Sequence, residues 1–114
     1  MKYMGSKSRI VDNILPIIQE RLRDYNIKTY IEPFCGGCNV IDKVQCDTKI
    51  ASDNHKYLIE MFKNLNQIQN LPEFITKEHY SDVRECFNKR LSTYPDWYIG
   101  AVGFLSSYNG RFFD

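Results

Sequence analysis

An acidic residue followed by a tight glycine turn constrains this chain more than any other feature. Residues 30–37 are Tyr-Ile-Glu-Pro-Phe-Cys-Gly-Gly, in which the residues before Glu32 favour a strand that Pro33 and the glycine pair end sharply. Glycines at such a turn let the backbone approach a ligand closely, because no Cβ blocks it. A bare Gly-Gly pair is also common in an ordinary turn between strand and helix. The surrounding residues must therefore decide between a ligand-binding turn and a plain one.

Hydrophobic periodicity predicts the elements around this turn. Apolar residues at helical spacing indicate a first helix over 7–24, kinked or restarted at Pro16. After a strand within 28–34, the sequence predicts a short helix over 39–44 and a second strand over 49–53. A strand, helix, strand order of this kind makes the two strands parallel neighbours. Ligands of such sheets bind at the carboxyl ends of the strands.

The character of the chain changes in its second half. A helix marked by Leu58, Ile59, Phe62 and Leu65 follows the second strand, and the polar stretch 64–70 is expected to be a loop. Two further helices are predicted over 77–91 and 95–107, with no more strands. We therefore expect an α/β fold with a cofactor-binding part over 1–70 and a helical segment over 71–114.

Composition excludes several classes of protein. Fifteen Lys and Arg against fourteen Asp and Glu give a net charge of +1, so no bulk positive field indicates nucleic-acid binding, and DNA contacts would need local patches. The amino terminus lacks the apolar stretch of a secretory signal, and no segment is apolar enough to span a membrane. A cytoplasmic protein with reduced cysteines is the expectation.

The turn resembles the Glu-Pro-Phe-x-Gly-Gly signature of the Dam-like adenine-specific DNA methyltransferases. This resemblance implies a doubly wound, Rossmann-like class I methyltransferase sheet, of which the chain would hold the amino-terminal part. It also implies S-adenosylmethionine as the cofactor, with the turn wrapping its methionine part. The residues that the resemblance assigns to cofactor binding in this turn are Glu32, Pro33, Phe34, Cys35, Gly36 and Gly37.

The amino terminus carries a second part of the resemblance. Residues 2–7 are similar to the family's Lys-Tyr-x-Gly-x-Lys motif, in which Tyr3 and Lys7 would line the methionine end of the cofactor. A lysine opposite a carboxylate makes physical sense. The alternative, if the motif stood alone, is a solvated basic terminus.

Asp53 ends the second predicted strand. Nucleotide-binding sheets commonly place an acid about twenty residues after the glycines, where it accepts hydrogen bonds from both ribose hydroxyls. Asp53 fits that position. The alternative is that it caps the helix beginning near His55, and one side chain could serve both purposes.

Towards the carboxyl end the resemblance is looser. Residues 80–88 are similar to the family's Tyr-x-x-x-Arg-x-x-Phe-Asn helix, and 104–111 are similar to its Phe-Asn-Gly-x-x-Arg segment with shortened spacing. In the family these segments lead into the DNA-recognition region. Asn109 and Arg111 are therefore candidate DNA-binding residues, and the alternative for Arg111 is a helix-terminal turn with a favourable charge.

One motif of the family is absent. Its Asp-Pro-Pro-Tyr motif, which binds and stacks on the target adenine, does not occur, because the four prolines are all isolated. The sequence thus predicts a DNA adenine methyltransferase present as a truncated chain, without catalytic residues of its own and inactive alone. The alternative is a non-catalytic binding or inhibitory protein derived from one.

Two further expectations concern partners and metals. Exposed edges of an incomplete sheet, and a cluster of Phe104, Leu105, Phe112 and Phe113, would favour self-association or a protein partner in addition to DNA. Cys35 and Cys38 have the spacing of half a zinc or redox site, which Cys46 or His55 could extend. No second Cys-x-x-Cys or His pair supports that alternative, so no metal is expected.

Overall fold

The computed structural model describes all 114 residues as two compact units. The first comprises Met1 and Gly5–Asn54, and the second comprises Lys2–Met4 and His55–Asp114. The helix after the second strand thus packs with the later helices. The expected division of the chain into a cofactor-binding part over 1–70 and a helical segment over 71–114 is a division by function, and it stays a prediction. No helix is long and apolar enough to cross a membrane.

The first unit is built on two parallel strands. Strand β1 (Thr29–Glu32) pairs with β2 (Thr48–Ala51) in a register that places Ile31 opposite Ile50. The predicted parallel pair is confirmed. These two are the only strands, so the structure shows a mixed α/β fold that is compatible with part of a methyltransferase sheet. Ile31 and Ile50 are both exposed, and association through this sheet stays a prediction.

Helix α1 (Val11–Asp24) packs on one side of the first unit. A single 3₁₀ turn (Lys7–Arg9) precedes it, and the helix continues through Pro16 without restarting. Its apolar side buries Val11 and Leu22 against Val40 and Val44 from the connection between the strands. This cluster holds the start of the connection beside the end of β1.

The connection between the strands contains one 3₁₀ turn rather than the expected helix over 39–44. The turn spans Ile41–Lys43, and the Lys49 ammonium donates to the Ile41 carbonyl at 2.9 Å. The Val44 amide donates to the Ile41 carbonyl three residues back at 3.2 Å, which is the hydrogen-bond pattern of a 3₁₀ turn. The Lys49 side chain of β2 is a second donor to this carbonyl, which a longer helix would have used.

The second unit is helical. Helices α2 (Lys56–Lys63), α3 (Leu65–Ile68), α4 (Lys77–Asn88) and α5 (Asp96–Leu105) are followed by a 3₁₀ turn (Tyr108–Gly110). The loop expected over 64–70 is wrong in part, because α3 lies inside it. The polar composition of residues 64–70 gave no indication that Ile68 packs against the core cluster of Leu58 and Met61. Tertiary packing therefore overrides the local signal.

Helix α5 is the centre of this unit, with its apolar residues buried nearly all round. Phe104 is only 4% exposed, and Phe112 packs against it with ring centroids 4.7 Å apart. Phe113 is half-buried in the neighbouring cluster around Val102. The three phenylalanines of the cluster expected to seek a partner thus pack within the second unit, because the chain after α5 folds back onto it. Leu105 of the same cluster is 53% exposed, and association through it stays a prediction.

Close packing of α5 on α2 yields a stability prediction. A Cβ added at Gly100 would overlap the Tyr57 carbonyl, whereas one at Gly103 would meet the rings of Phe112 and Phe113. Helix propensity alone would make either Gly→Ala change stabilising by about 1 kcal/mol. Because backbone cannot move aside as a ring can, we expect Gly100→Ala to destabilise the protein by about 2 kcal/mol, and Gly103→Ala by less. Urea unfolding measures both, and a Gly100→Ala protein as stable as the parent would contradict the close approach.

Candidate functional site

The carboxyl ends of both strands meet at the glycine turn. Beyond the last strand pair, the Ser52 amide donates to the Glu32 carbonyl at 3.0 Å, and the Cys35 amide donates to the Ser52 carbonyl at 2.9 Å. The Ser52 hydroxyl also donates to the Pro33 carbonyl at 3.1 Å. Backbone hydrogen bonds thus pin the turn to the end of β2, which brings residues 33–37 beside Asp53.

Asp53 is joined directly to the turn. Its Oδ2 atom accepts a hydrogen bond from the Gly36 amide at 3.1 Å. Gly36 is buried and has a φ of 51°, a backbone conformation that a glycine adopts without strain. The helix-cap alternative for Asp53 is wrong, because the cap of α2 is His55, whose Nδ1 accepts from the Leu58 amide at 3.4 Å.

Glu32 is the only buried charged residue. It is 7% exposed, and its Oε1 accepts from the Tyr30 hydroxyl at 3.2 Å. Its Oε2 is buried and has no hydrogen-bond partner within the protein. Leaving a buried carboxylate oxygen unpaired costs free energy. This oxygen could therefore accept a hydrogen bond from a ligand.

Burial and the two nearby carboxylates affect the pKa values of the two thiols in the turn. Burial raises the pKa of Cys35, and the charges of Asp53 and Glu32 add to the effect. Burial, a hydrogen bond with Cys35 and the charge of Glu32 raise the pKa of Cys38 to about 12. Both cysteines are free. No three His, Cys, Asp or Glu side chains come together as metal ligands.

Lys7 reaches the same turn from the amino terminus. Its ammonium donates to the Phe34 carbonyl at 2.8 Å, while the Phe34 ring is 78% exposed. The structure therefore brings Lys7 and Asp53 to the turn formed by residues 32–37. Assignment of these residues to cofactor binding stays a prediction. Tyr3 belongs to the second unit, where its ring lies 5.8 Å from that of Phe104.

Asn39 is a residue of this site that sequence reasoning missed. Its amide nitrogen donates to the Ser6 hydroxyl at 2.6 Å and to the Met1 carbonyl at 3.3 Å, and its Oδ1 accepts from the terminal ammonium at 3.3 Å. These bonds fasten the segment that carries Lys7 to the end of the turn. The only sequence signal for this role was a single asparagine directly after the turn. Its hydrogen-bond partners lie more than thirty residues away in the sequence, so no local pattern indicated them.

The carboxyl-terminal candidates lie in the second unit. Asn109 is exposed and has a φ of 51°, and Gly110 is buried beside the Lys2 backbone, where an added Cβ would overlap the Lys2 carbonyl. The exposed Arg111 ends the 3₁₀ turn, with its guanidinium 5.5 Å from the centre of the Tyr108 ring. Assignment of Asn109 and Arg111 to DNA binding stays a prediction.

Comparison with known proteins gives consistent matches. Residues 3–101 match the family described as D12 class N6 adenine-specific DNA methyltransferase. The Type II methyltransferase M.MjaIII of Methanocaldococcus jannaschii is 29% identical over an alignment of 108 positions, which covers 78% of this chain and 37% of that protein. The Modification methylase StsI of Streptococcus sanguinis is 28% identical over an alignment of 125 positions, which covers 98% of this chain and 18% of that protein. The chain thus spans less than two fifths of either relative, and no solved structure is significantly similar to it.

The Asn39 contacts predict a local effect of substitution. In Asn39→Ala, we expect the amides of residues 5–9 to exchange with solvent about tenfold faster, since hydrogen bonds of about 1 kcal/mol each are lost. Hydrogen exchange followed by mass spectrometry measures this rate. Asn13→Ala is the control, because Asn13 is exposed on α1 and makes no side-chain bond to this segment. Unchanged exchange in Asn39→Ala would show that its hydrogen bonds do not hold the segment.

Proposed function

Because this chain belongs to the D12 class N6 adenine-specific DNA methyltransferase family, we propose that it forms the S-adenosylmethionine-binding part of such an enzyme. The family match over residues 3–101 confirms the resemblance. The parallel pairing of β1 and β2, with the turn at their carboxyl ends, supports a place in a doubly wound methyltransferase sheet. The observation that carries the proposal is the buried, unpaired Oε2 of Glu32 beside the glycine turn.

The chemistry of the site fits this cofactor. S-adenosylmethionine, when bound, supplies a methyl group activated by a positively charged sulfur, and it also carries an ammonium group. Glu32 would accept a hydrogen bond from the ammonium through Oε2, because that atom is buried and needs a donor. Asp53 would accept from the ribose hydroxyls while it holds the Gly36 amide. Lys7 would offer its remaining protons to the methionine carboxylate.

The chain's residues contribute positioning rather than acid or base chemistry. The Gly36 and Gly37 backbone provides a close edge, whose shape is fixed by hydrogen bonds that the Cys35 amide donates to the Ser52 carbonyl and the Gly36 amide donates to Asp53. Preorganised contacts of this kind lower the cost of holding two reactants in line. For the transfer itself, the family's Asp-Pro-Pro-Tyr motif would hold the adenine, and these 114 residues do not contain it. DNA is the proposed substrate, with Asn109 and Arg111 as proposed contacts.

Cofactor binding is testable through Asp53. We expect the parent protein to bind S-adenosylmethionine in calorimetry, and Asp53→Ala to bind it about 10- to 100-fold more weakly, since charged hydrogen bonds contribute about 1.5–3 kcal/mol. Asp42→Ala is the matched control, because it removes an exposed carboxylate from the same unit. Circular dichroism checks that each variant is folded. A folded parent that binds no cofactor would sink the proposal and favour a non-catalytic module.

Methyl transfer is expected to need more than this chain. With labelled S-adenosylmethionine and unmethylated duplex DNA, we expect no incorporation above a protein-free blank, because no residue here holds the target amine. The protein should come from a host that lacks adenine methylases, so that contaminants contribute no signal. Incorporation that stays with the purified chain would mean that another group in these residues binds the adenine.

A further inference from the structure

Tyr30 lies two residues before Glu32 on the same strand. Side chains two apart on a strand share a face, and the Tyr30 hydroxyl lies 3.2 Å from Glu32 Oε1. The family signature begins at the acid, so Tyr30 is outside the residues that the resemblance assigns. The hydroxyl therefore needs an explanation from the structure itself.

Packing accounts for the ring of Tyr30 but not for its hydroxyl. The half-buried ring packs against the α1 cluster of Val11, Leu22, Val40 and Val44. A phenylalanine would fill the same space, so the hydrogen bond to Glu32 is what the tyrosine adds. A rigid ring with few rotatable bonds also holds its hydroxyl at a fixed point.

Chemistry fixes the direction of that hydrogen bond. An ionised carboxylate only accepts, so the phenol must donate to Oε1. Burial, the charge of Glu32 and the hydrogen bond to it raise the pKa of Tyr30 to about 12, which keeps the phenol protonated. One oxygen of Glu32 is thus occupied from within the protein, and the buried Oε2 is left for a different donor.

We propose that Tyr30 is a positioning residue, whose hydroxyl holds Glu32 so that Oε2 receives the ammonium group of S-adenosylmethionine. The inference rests on the proposed function, and it adds a residue that acts on the cofactor only through Glu32. Tyr30 therefore sets affinity for the amino-acid end of the ligand. It does not affect the adenosine end, where Asp53 acts.

The experiment compares two ligands that differ at that end. S-adenosylmethionine carries the ammonium group, and 5′-methylthioadenosine keeps the adenosine and sulfur but lacks the amino acid. In calorimetry we expect Tyr30→Phe to weaken S-adenosylmethionine binding about tenfold, and to leave methylthioadenosine binding unchanged. Tyr25→Phe is the matched control, because it removes an exposed hydroxyl from the same unit.

A double-mutant cycle with Glu32→Gln separates positioning from packing. Glu32→Gln alone should also weaken S-adenosylmethionine selectively, and adding Tyr30→Phe to it should have little further effect, because Tyr30 acts through the Glu32 charge. Thermal unfolding of each variant reports its folding. If Tyr30→Phe does not fold, Glu32→Gln remains the test, and equal weakening of both ligands by it overturns the proposal.

The outcomes distinguish this inference from the proposed function. A folded parent that binds neither ligand overturns both. If the parent and Tyr30→Phe bind S-adenosylmethionine equally well, the role of Tyr30 is overturned and the proposed function is not. Equal weakening of both ligands by Tyr30→Phe would show a merely structural role, which also overturns it.

Discussion

The hydrogen-bonded junction between the ends of the two strands is the constraint on which the candidate site depends. Two backbone bonds extend the ladder past Glu32, and Asp53 then ties its carboxylate to the Gly36 amide. Without this junction, the turn would be a flexible loop after a single strand. With it, Asp53, which follows β2, contacts the turn that follows Glu32 of β1. A two-stranded sheet thereby gives the turn a defined shape.

Charge gives this edge its selectivity. Burial raises the pKa of Cys35, and the nearby charges of Asp53 and Glu32 raise it further. Like charges in one place are unfavourable unless something positive offsets them. Lys7 brings a cation to the same turn, where its ammonium donates to the Phe34 carbonyl. The sulfonium and ammonium of the proposed cofactor would bring further positive charge. Binding of the cofactor would therefore also reduce the repulsion between the two carboxylates.

The second unit is stabilised by a different principle. Its core depends on close approach of helix backbones and on aromatic rings packed edge to face, as between His55 and Phe112 at 4.6 Å. Gly100 permits the approach of α5 to Tyr57, and Phe112 fills the centre of the aromatic cluster. Residues that looked like an exposed apolar surface are therefore needed inside this unit. The carboxyl-terminal segment that resembles a DNA-facing motif is built on that core.

The sequence by itself determined the parallel strand pair and the glycine turn, because short local patterns of strand and turn residues encode them. The grouping of Glu32, Lys7 and Asp53 came from the resemblance to a family, because Lys7 lies 27 positions from its partner Phe34 and no local pattern joins them. The sequence could not decide whether Asp53 caps a helix, whether Phe104 is buried, or whether Asn39 binds the amino-terminal segment. Those outcomes depend on which distant residues meet, as with Asn39 and Met1, 38 positions apart. Tertiary structure also decided that Glu32 kept one oxygen unpaired, since burial and missing partners are properties of the packed chain and not of its local sequence.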